Sequence, residues 1–340
     1  MEQRLNGLDI LKCICAFLVV CIHVAFRKNF GVSIVPLCRC AVPVFIMITG
    51  YFFEQMYAKQ RVKKQIITCL KLYVFGLVFY AIMYLLIAIK NHTSVYEFFR
   101  GFFTPVVFRN FIFFNEPILA FADHLWYLGA IIYVLLFALL MKKWKLSDYM
   151  IYFVWAFLLF NLILGLYSEV LGIGSIKTGM ARNWMFVGIP YFYFGNYMYK
   201  KREKIERIPK LLLWTLLIFA SVGACVEEYI FVTNGPAFGG DNYIFTPVAA
   251  IALFMIFLFI RGDGKIGNLL GRIGRNEATG IYIIHFFFIT NLRSLFNRLL
   301  GNSFVADLIY ALSVYLISLI LIIGYKKLLG LLRKNKKRGE

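Results

Sequence analysis

Two stretches of the sequence decide the fold: Leu211–Ala220, which reads LLLWTLLIFA, and Leu316–Ile323, which reads LISLILII. Neither stretch alternates apolar and polar residues, as a strand of a membrane barrel would. Runs of this kind that extend to about 20 residues are long enough to cross the hydrocarbon core of a bilayer as an α-helix. The pattern therefore predicts membrane-spanning helices, in which the backbone polar groups are satisfied within each segment.

The composition of the whole chain agrees with a membrane protein. Of its 340 residues, 61% are hydrophobic and only 16% are charged, which is too little polar cover for a water-soluble domain. The aromatic share of 18% is typical of a protein with Trp and Tyr at two membrane–water interfaces. We predict an all-α integral membrane fold with about ten transmembrane helices around a polar cavity. The predicted spans are 7–26, 37–55, 66–89, 124–141, 149–167, 184–200, 210–232, 244–261, 278–296 and 304–330.

Positive charge is concentrated in alternate connections between the predicted spans. The net charge of +20 would suit a nucleic-acid-binding protein, but its distribution follows the positive-inside pattern instead. We therefore predict no nucleic-acid partner, and a multi-pass protein of the cell membrane, surrounded by membrane lipids, with both termini in the cytoplasm. The basic connections are Lys59–Lys64, Lys142–Lys145, Lys200–Lys210, Arg261–Arg275 and Lys326–Arg338, whereas Arg27, Lys28 and Arg298 lie in the other set.

The chain is predicted to form one membrane domain, residues 1–332, followed by a short basic cytoplasmic tail, residues 333–340. The tail has no apolar residue to bury and is expected to be disordered. The longest connection, Asn91–Asp123, is either a lid or re-entrant segment or plain irregular structure. Thr233–Asn242 contains glycines and a proline and is predicted to be a turn.

The seven cysteines lie mostly in apolar spans without a metal-binding spacing, so we expect packing residues and no metal.

Ionisable residues inside apolar spans are costly and indicate function. The first span carries Asp9, Lys12 and His23. Lys12 and His23 are eleven residues apart, so at about 100° per residue they share one face of the helix, roughly 16 Å apart along its axis. In the predicted topology, Lys12 is near the cytoplasmic end of this face and His23 is in the outer third of the membrane.

Other polar residues are predicted on both sides of the membrane. Each also has a plainer interpretation: a histidine at a helix end can cap a carbonyl or lie among headgroups, aromatic residues can form an interfacial belt, and a basic run can simply set the topology. The candidates of the outer half are His23, Arg39, His124 and Arg182, with His285 nearer the middle of its span, and the cytoplasmic candidates are Asp9, Lys12, Arg61, Lys63, Lys64 and Lys71.

These residue types suit group transfer across the membrane. A histidine in a dry cavity can act as a general base on an acceptor hydroxyl, because its ordinary pKa is close to neutrality. Arginines facing that cavity can hold a phosphate, a carboxylate or a developing oxyanion. Basic groups at the cytoplasmic end can bind the phosphates of a nucleotide-bearing donor, and the separation of Lys12 and His23 is comparable with the reach of a pantetheine arm. The same cavity would equally serve a transporter of an amphoteric substrate.

Several short motifs, in this order and spacing, resemble the acyltransferase 3 family of multi-pass membrane acyltransferases. That family includes bacterial O-acetyltransferases of peptidoglycan and surface polysaccharides. No single motif is specific, but together they extend over almost the whole chain. The motifs are Leu8-Asp9-Ile10-Leu11-Lys12 with His23, Arg39 with Val42-Pro43, Phe45 and Gly50-Tyr51, His124-Leu125-Trp126-Tyr127-Leu128, Arg182-Asn183, and Gly280-Ile281-Tyr282-Ile283-Ile284-His285.

The resemblance implies a ten-helix membrane fold and an acetyl-CoA donor, whose acyl group goes to a hydroxyl of an extracytoplasmic or lipid-linked carbohydrate. It also implies that His23 is catalytic and that His124 and Trp126 line the same cavity. Lys12 stands where the family usually has arginine, and lysine offers no bidentate fork. The remaining assignments are Arg39, Arg182 and His285 at the acceptor or oxyanion, and Asp9, Lys12, Arg61 and Lys64 at the donor.

Two other function classes remain open. The Arg182-Asn183 segment also resembles a branch of the family that includes the membrane portion of serine racemases of glycopeptide resistance, a portion associated with serine transport. A transporter of a small polar molecule such as serine would use the same cavity without covalent chemistry. A purely structural membrane protein leaves the charges of the first span unexplained and ranks last.

Overall fold

A computed structural model of the chain describes residues 5–24, 26, 34–92, 94–100, 102–174, 182–234 and 242–339. The regular elements in these ranges are helical. In chain order, the α-helices are α1 (Asn6–His23), α2 (Ala41–Tyr51), α3 (Phe53–Ala58), α4 (Val62–Lys90), α5 (Val95–Arg100), α6 (Pro105–Phe114), α7 (Trp126–Lys143), α8 (Met150–Leu164), α9 (Ile189–Lys200), α10 (Arg202–Glu206), α11 (Lys210–Asn234), α12 (Thr246–Leu258), α13 (Lys265–Asn276), α14 (Ala278–Leu300) and α15 (Phe304–Gly339). A 3₁₀ turn (Ala120–Leu125) precedes α7, and a π turn (Trp184–Gly188) precedes α9.

The helices include seven stretches that are long and apolar enough to cross a membrane, which confirms the all-α, multi-pass architecture. These stretches coincide with seven of the ten predicted spans. The other three, 149–167, 184–200 and 244–261, contain the shorter helices α8, α9 and α12, so a count of ten spans remains a prediction. The seven are Asn6–His23, Ile34–Ala58, Val62–Lys90, Ala120–Lys143, Lys210–Thr233, Ala278–Leu300 and Phe304–Leu332.

The chain divides into two compact units, of which the first comprises Met1–Ala41 and Phe254–Glu340. In this unit α1 packs against α13, α14 and α15. Two glycines of α13 make the crossing with α1 close: a Cβ at Gly274 would lie 1.8 Å from the carbonyl oxygen of Asp9, and a Cβ at Gly271 would lie 2.0 Å from the side-chain oxygen of Asn6. Small residues commonly allow such backbone contact between helices in membranes.

The second unit comprises Val42–Leu253. Within it α4 packs against α7, and α8 packs against α9. The crossing of α2 and α9 depends on one glycine from each helix. A Cβ at Gly50 would lie 1.9 Å from the carbonyl oxygen of Phe192, and a Cβ at Gly195 would lie 1.9 Å from that of Met47. Neither position can accept a side chain without moving the partner backbone.

Three local expectations need correction or fall outside the structure. The described residues of the connection Asn91–Asp123 are mostly helical: they contain α5, α6 and most of the 3₁₀ turn, and α6 begins where the side chain of Thr104 caps its first turn. The tail was expected to be disordered, but its described backbone, residues 333–339, continues the helix α15. Extending an existing helix costs less than starting a new one. Most of the predicted turn Thr233–Asn242 lies outside the described residues.

Candidate functional site

His23 is the last residue of α1, which ends before the limit of the predicted span 7–26. Its side chain is half-buried. The centroid of its ring lies 5.3 Å from that of His285 and 5.2 Å from that of Phe286, both on α14. The predicted catalytic histidine therefore faces a neighbouring helix of its own unit.

His285 lies in the first half of α14, and its side chain is fully buried. Its Nδ1 is 2.8 Å from the carbonyl oxygen of Tyr282 and 3.2 Å from that of Ile281. Because carbonyl oxygens only accept hydrogen bonds, Nδ1 carries the hydrogen, and Nε2 is the acceptor of the neutral ring. The helix backbone thus fixes both the tautomer and the orientation of the ring that His23 contacts.

Arg39 lies at the turn that separates the helical residues 34–38 from α2. Its backbone N–H donates to the carbonyl oxygens of Val35 and Pro36, each at 3.2 Å. The side chain is half-buried and belongs to the same unit as His23. The assignment of its guanidinium to the acceptor or the oxyanion stays a prediction.

Asp9 is buried in α1 and contacts two basic side chains of the first unit. Its Oδ1 lies 3.1 Å from Nζ of Lys12, and its Oδ2 lies 2.9 Å from Nε of Arg275 at the end of α13. A buried carboxylate is normally paired, since an unpaired charge is costly to desolvate. Sequence reasoning identified Asp9 and Lys12 but missed Arg275, which it had counted only as part of a basic connection. The sequence feature that could have indicated such a partner is Asp9 itself, because a single acidic residue in an apolar span requires cationic partners.

In the second unit, the segment that carries His124 and Trp126 contacts Arg182. His124 is buried in the 3₁₀ turn, not in the helix that it was expected to open, and its ring packs edge-on against Tyr80 at 4.8 Å. Arg182 forms an ion pair with Asp123, and its guanidinium carbon lies 5.4 Å from the centroid of the Trp126 ring. A cation over an indole face is an attractive arrangement. The fold thus gives Arg182 two neighbours that orient its guanidinium.

Two asparagines hold this arrangement together. The side chain of Asn183 caps the π turn that follows Arg182. Asn115 is buried with a left-handed backbone (φ 51°), and its side chain accepts a hydrogen bond from the N–H of Trp184 at 2.7 Å and donates one to the carbonyl oxygen of Trp126 at 3.0 Å. Sequence reasoning named Asn183 and missed Asn115. The sequence feature that could have identified Asn115 is its position directly after an apolar run, because asparagine tolerates the left-handed conformation at helix ends.

Arg61 and Lys64 are exposed at the beginning of α4. They belong to the second unit, whereas Asp9 and Lys12 belong to the first. A common role of these four residues in holding the donor therefore remains a prediction.

The basic residues Lys142 and Lys200, which we interpreted as topology-setting charge, also have a structural role. Glu54 lies 2.7 Å from Nζ of Lys142 and 3.1 Å from Nζ of Lys200, and it accepts a hydrogen bond from Asn196 at 3.1 Å. Lys200 also pairs with Asp148 outside the spans, and its ammonium group holds the pKa of that carboxyl below its ordinary value. These contacts connect α3, α7 and α9 within the second unit.

The seven cysteines all lie in the described ranges and none of them forms a disulfide bond; six are buried and Cys225 is partly exposed. Their burial is consistent with the predicted packing role. Cys13, for example, lies with its Sγ 3.2 Å from Oη of Tyr315. Among the residues that the structure describes, no group of three or more His, Cys, Asp or Glu side chains is placed to hold a metal ion.

Comparison with protein families assigns nearly the whole chain. The acyltransferase 3 family model, described as an acyltransferase domain, matches residues 5–324. This range includes every candidate residue from Asp9 to His285, and Arg275 as well. No curated protein and no solved structure matches the chain.

Proposed function

The chain belongs to the acyltransferase 3 family of membrane acyltransferases, and from this premise we propose that it moves an acetyl or similar acyl group across the membrane. The donor is a cytoplasmic coenzyme A thioester, and the acceptor is a hydroxyl of an extracytoplasmic or lipid-linked carbohydrate. The product is thus an O-acetylated polysaccharide or its lipid-linked precursor at the cell membrane. The observation that carries this proposal is the contact of His23 with His285 inside the first unit.

In the proposed reaction, His23 is the general base. Its imidazole accepts the proton of the acceptor hydroxyl as the hydroxyl oxygen attacks the carbonyl carbon of the thioester. A C–O bond forms, the C–S bond breaks, and the imidazolium returns the proton to the departing coenzyme A thiolate. The products are an ester and free coenzyme A, and His23 is neutral again.

His285 acts in this mechanism as a positioning residue for His23. Because its Nδ1–H donates to the carbonyl oxygen of Tyr282, its Nε2 is an acceptor on a ring in contact with His23. An N–H of His23 directed to Nε2 would place the other nitrogen of His23 towards the acceptor hydroxyl. The resemblance alone would instead place His285 at the substrate or oxyanion.

The arginines supply positive charge where negative charge develops. We assign Arg39 and Arg182 to the acceptor or the oxyanion of the tetrahedral intermediate, with His124 and Trp126 on the acceptor side. Preorganised cations in a water-poor site stabilise an oxyanion more than they would in water. The ion pair of Arg182 with Asp123 supports this role, because it limits the orientations of the guanidinium. Asp9, Lys12, Arg61 and Lys64 are assigned to the donor.

The test is transfer by the purified protein reconstituted in vesicles, with acetyl-labelled coenzyme A on one side. We expect label to reach a carbohydrate hydroxyl or to be released slowly as acetate. His23→Asn should lower that rate on the order of 10²- to 10⁴-fold, whereas His92→Asn, at an exposed histidine outside the site, should retain it. Absence of transfer and hydrolysis, together with saturable serine uptake that His23→Asn abolishes, would establish the transporter instead.

A further inference from the structure

Asp9 links two basic side chains that come from different helices of the first unit. Its Oδ1 lies 3.1 Å from Nζ of Lys12 on α1, and its Oδ2 lies 2.9 Å from Nε of Arg275 on α13. The Asp9 side chain is 12% exposed, against 25% for Lys12 and 31% for Arg275. The cluster therefore presents its two cations, rather than its anion, to the surroundings.

The charge and the hydrogen-bond donors of this cluster favour an anionic ligand. One carboxylate faces two cations, so the three side chains together are positive. Arg275 meets Asp9 through Nε, and the two terminal amino groups carry most of the N–H donors of a guanidinium. Guanidinium and ammonium groups bind phosphate oxygens through charge-assisted hydrogen bonds, and arginine can do so with two parallel bonds. Phosphate is therefore the ligand chemistry that the cluster fits.

Backbone packing sets the position of Arg275. Gly274, the preceding residue, contacts α1 so closely that a Cβ would lie 1.8 Å from the carbonyl oxygen of Asp9. Gly271 is equally close to Asn6 about one turn earlier. The end of α13 is thus held against the turn of α1 that carries Asp9. Cations that are already in place lose less conformational freedom when a ligand binds.

The relation of this cluster to His23 selects a class of phosphate compound. Lys12 and His23 lie on the continuous helix α1, on one face and roughly 16 Å apart along the axis. A donor whose phosphates lie at Lys12 and Arg275 could extend its arm along this face to bring the acyl carbon to His23. We propose that Lys12 and Arg275, positioned by Asp9, bind the phosphates of the coenzyme A donor. This inference rests on the proposed function and adds to it a donor-binding residue, Arg275, and a positioning residue, Asp9.

Helix α13 also provides a competing source of phosphate and a matched control. Ile266 is 75% exposed and Leu269 is exposed as well, and basic Arg272 is exposed on the same short helix. Exposed apolar and basic side chains together are typical of a helix at the membrane interface, where anionic lipid headgroups are available. Arg272 has the same charge as Arg275 and lies on the same helix, but no ion pair with Asp9 includes it.

The experiment measures binding of free coenzyme A to the purified full-length protein by calorimetry. Arg275→Gln should weaken binding about tenfold or more, as expected for loss of a charge-assisted contact, whereas Arg272→Gln should change it less than about twofold. Arg275→Lys keeps the charge but cannot pair with Asp9 and grip a phosphate with a planar fork, so its affinity should be intermediate. Thermal unfolding of each variant verifies that it is folded. If Arg275→Gln does not fold, Arg275→Lys still tests the site.

A second probe, adenosine 3′,5′-bisphosphate, separates the phosphates from the pantetheine arm. It should displace coenzyme A from the wild-type protein and do so less effectively in Arg275→Gln. Unchanged binding in Arg275→Gln, or equal losses in Arg275→Gln and Arg272→Gln, would overturn the site. Binding of phosphatidylglycerol is measured with the protein in nanodiscs. The donor assignment would also be overturned if Arg275→Gln bound this lipid more weakly but kept its affinity for coenzyme A. Coenzyme A binding that depends on Arg275, without any acyl transfer, would refute the proposed function and leave this site standing.

Discussion

The ring of His23 lies 5.3 Å from the ring of His285, centroid to centroid, and the two planes are inclined by 46°. His285 is itself fixed, because it is fully buried and its Nδ1 donates to the carbonyl oxygen of Tyr282. A general base beside such a neighbour has its orientation set by the fold, which lowers the cost of reaching a reactive arrangement. In the proposed mechanism, His23 therefore moves the proton, and His285 positions the ring of His23.

Replacing His285 by phenylalanine should lower kcat and leave the KM for acetyl-CoA nearly unchanged. Phenylalanine keeps a ring against His23 but has no ring nitrogen to orient it. We expect a loss in kcat on the order of 10²-fold, the cost of a misplaced reacting group, measured by steady-state transfer in vesicles. His285→Gln, which restores a polar side chain, should recover part of this loss.

Phe286→Leu is the matched control for that experiment, since Phe286 contacts His23 at a similar centroid distance, 5.2 Å, without a polar atom. It should lower kcat much less than His285→Phe. A comparable loss in the two variants would show that packing, and not the imidazole of His285, supports His23.

The shared face of Lys12 and His23 could be predicted because it depends only on the period of one helix, and α1 is continuous from Asn6 to His23. The contacts of α1 with His285 and Arg275 could not. They depend on which helices pack against each side of α1, and the polar residues of α1 mark one of its faces without indicating which helix covers that face.

Helix length shows a second limit of sequence reasoning. Apolar residues predicted a span over 149–167, but α8 ends at Leu164, and the backbone of Gly165 (φ −98°, ψ −116°) leaves the helical region. Leu166 and Tyr167 then continue the apolar run without the helix. Hydropathy reports the preferred solvent of a segment and not its backbone hydrogen bonding, so it overestimated this helix.

Adding a methyl group at Gly274 should loosen the crossing of α1 and α13. The new Cβ would lie 1.8 Å from the carbonyl oxygen of Asp9 and 2.7 Å from the backbone nitrogen of Cys13, and neither atom can rotate away. We expect Gly274→Ala to lower the free energy of unfolding by about 1–3 kcal/mol, as overpacking does. The measurement is the midpoint of thermal unfolding in detergent.

Gly324→Ala controls for the effect of alanine in a helix. No heavy atom lies within 4 Å of a Cβ at this position of α15, and alanine favours the helix over glycine by about 1 kcal/mol. Gly324→Ala should therefore leave the midpoint unchanged or raise it. Equal midpoints for the two variants would contradict the close crossing at Gly274.

Asn115→Ala should destabilise the protein more than Asn115→Gly. Both variants lose the hydrogen bonds to the carbonyl oxygen of Trp126 and the N–H of Trp184, which together are worth about 2–4 kcal/mol at a buried site. Both variants must also adopt the left-handed backbone (φ 51°). Glycine does so without a steric penalty, whereas alanine incurs a further cost of about 1–2 kcal/mol. Thermal unfolding should show this order, with Asn91→Ala at an exposed helix end close to wild type. Indistinguishable alanine and glycine variants would show that the left-handed backbone carries no such cost.

Arg182→Lys tests whether the guanidinium beside Trp126 serves the acceptor. Arg182 contacts the indole of Trp126 and pairs with Asp123 at the same time. Lysine keeps the charge but has no planar group that could make both contacts. If Arg182 positions the acceptor, the variant should raise the KM for the carbohydrate and leave the KM for acetyl-CoA unchanged. Trp126→Phe should shift the acceptor KM in the same direction by a smaller factor, because a phenyl face attracts a cation less than an indole face does. If Arg182→Lys changed only the KM for acetyl-CoA, this arginine would be assigned to the thioester instead. A residue that contacts only the acceptor should not affect the KM for the donor.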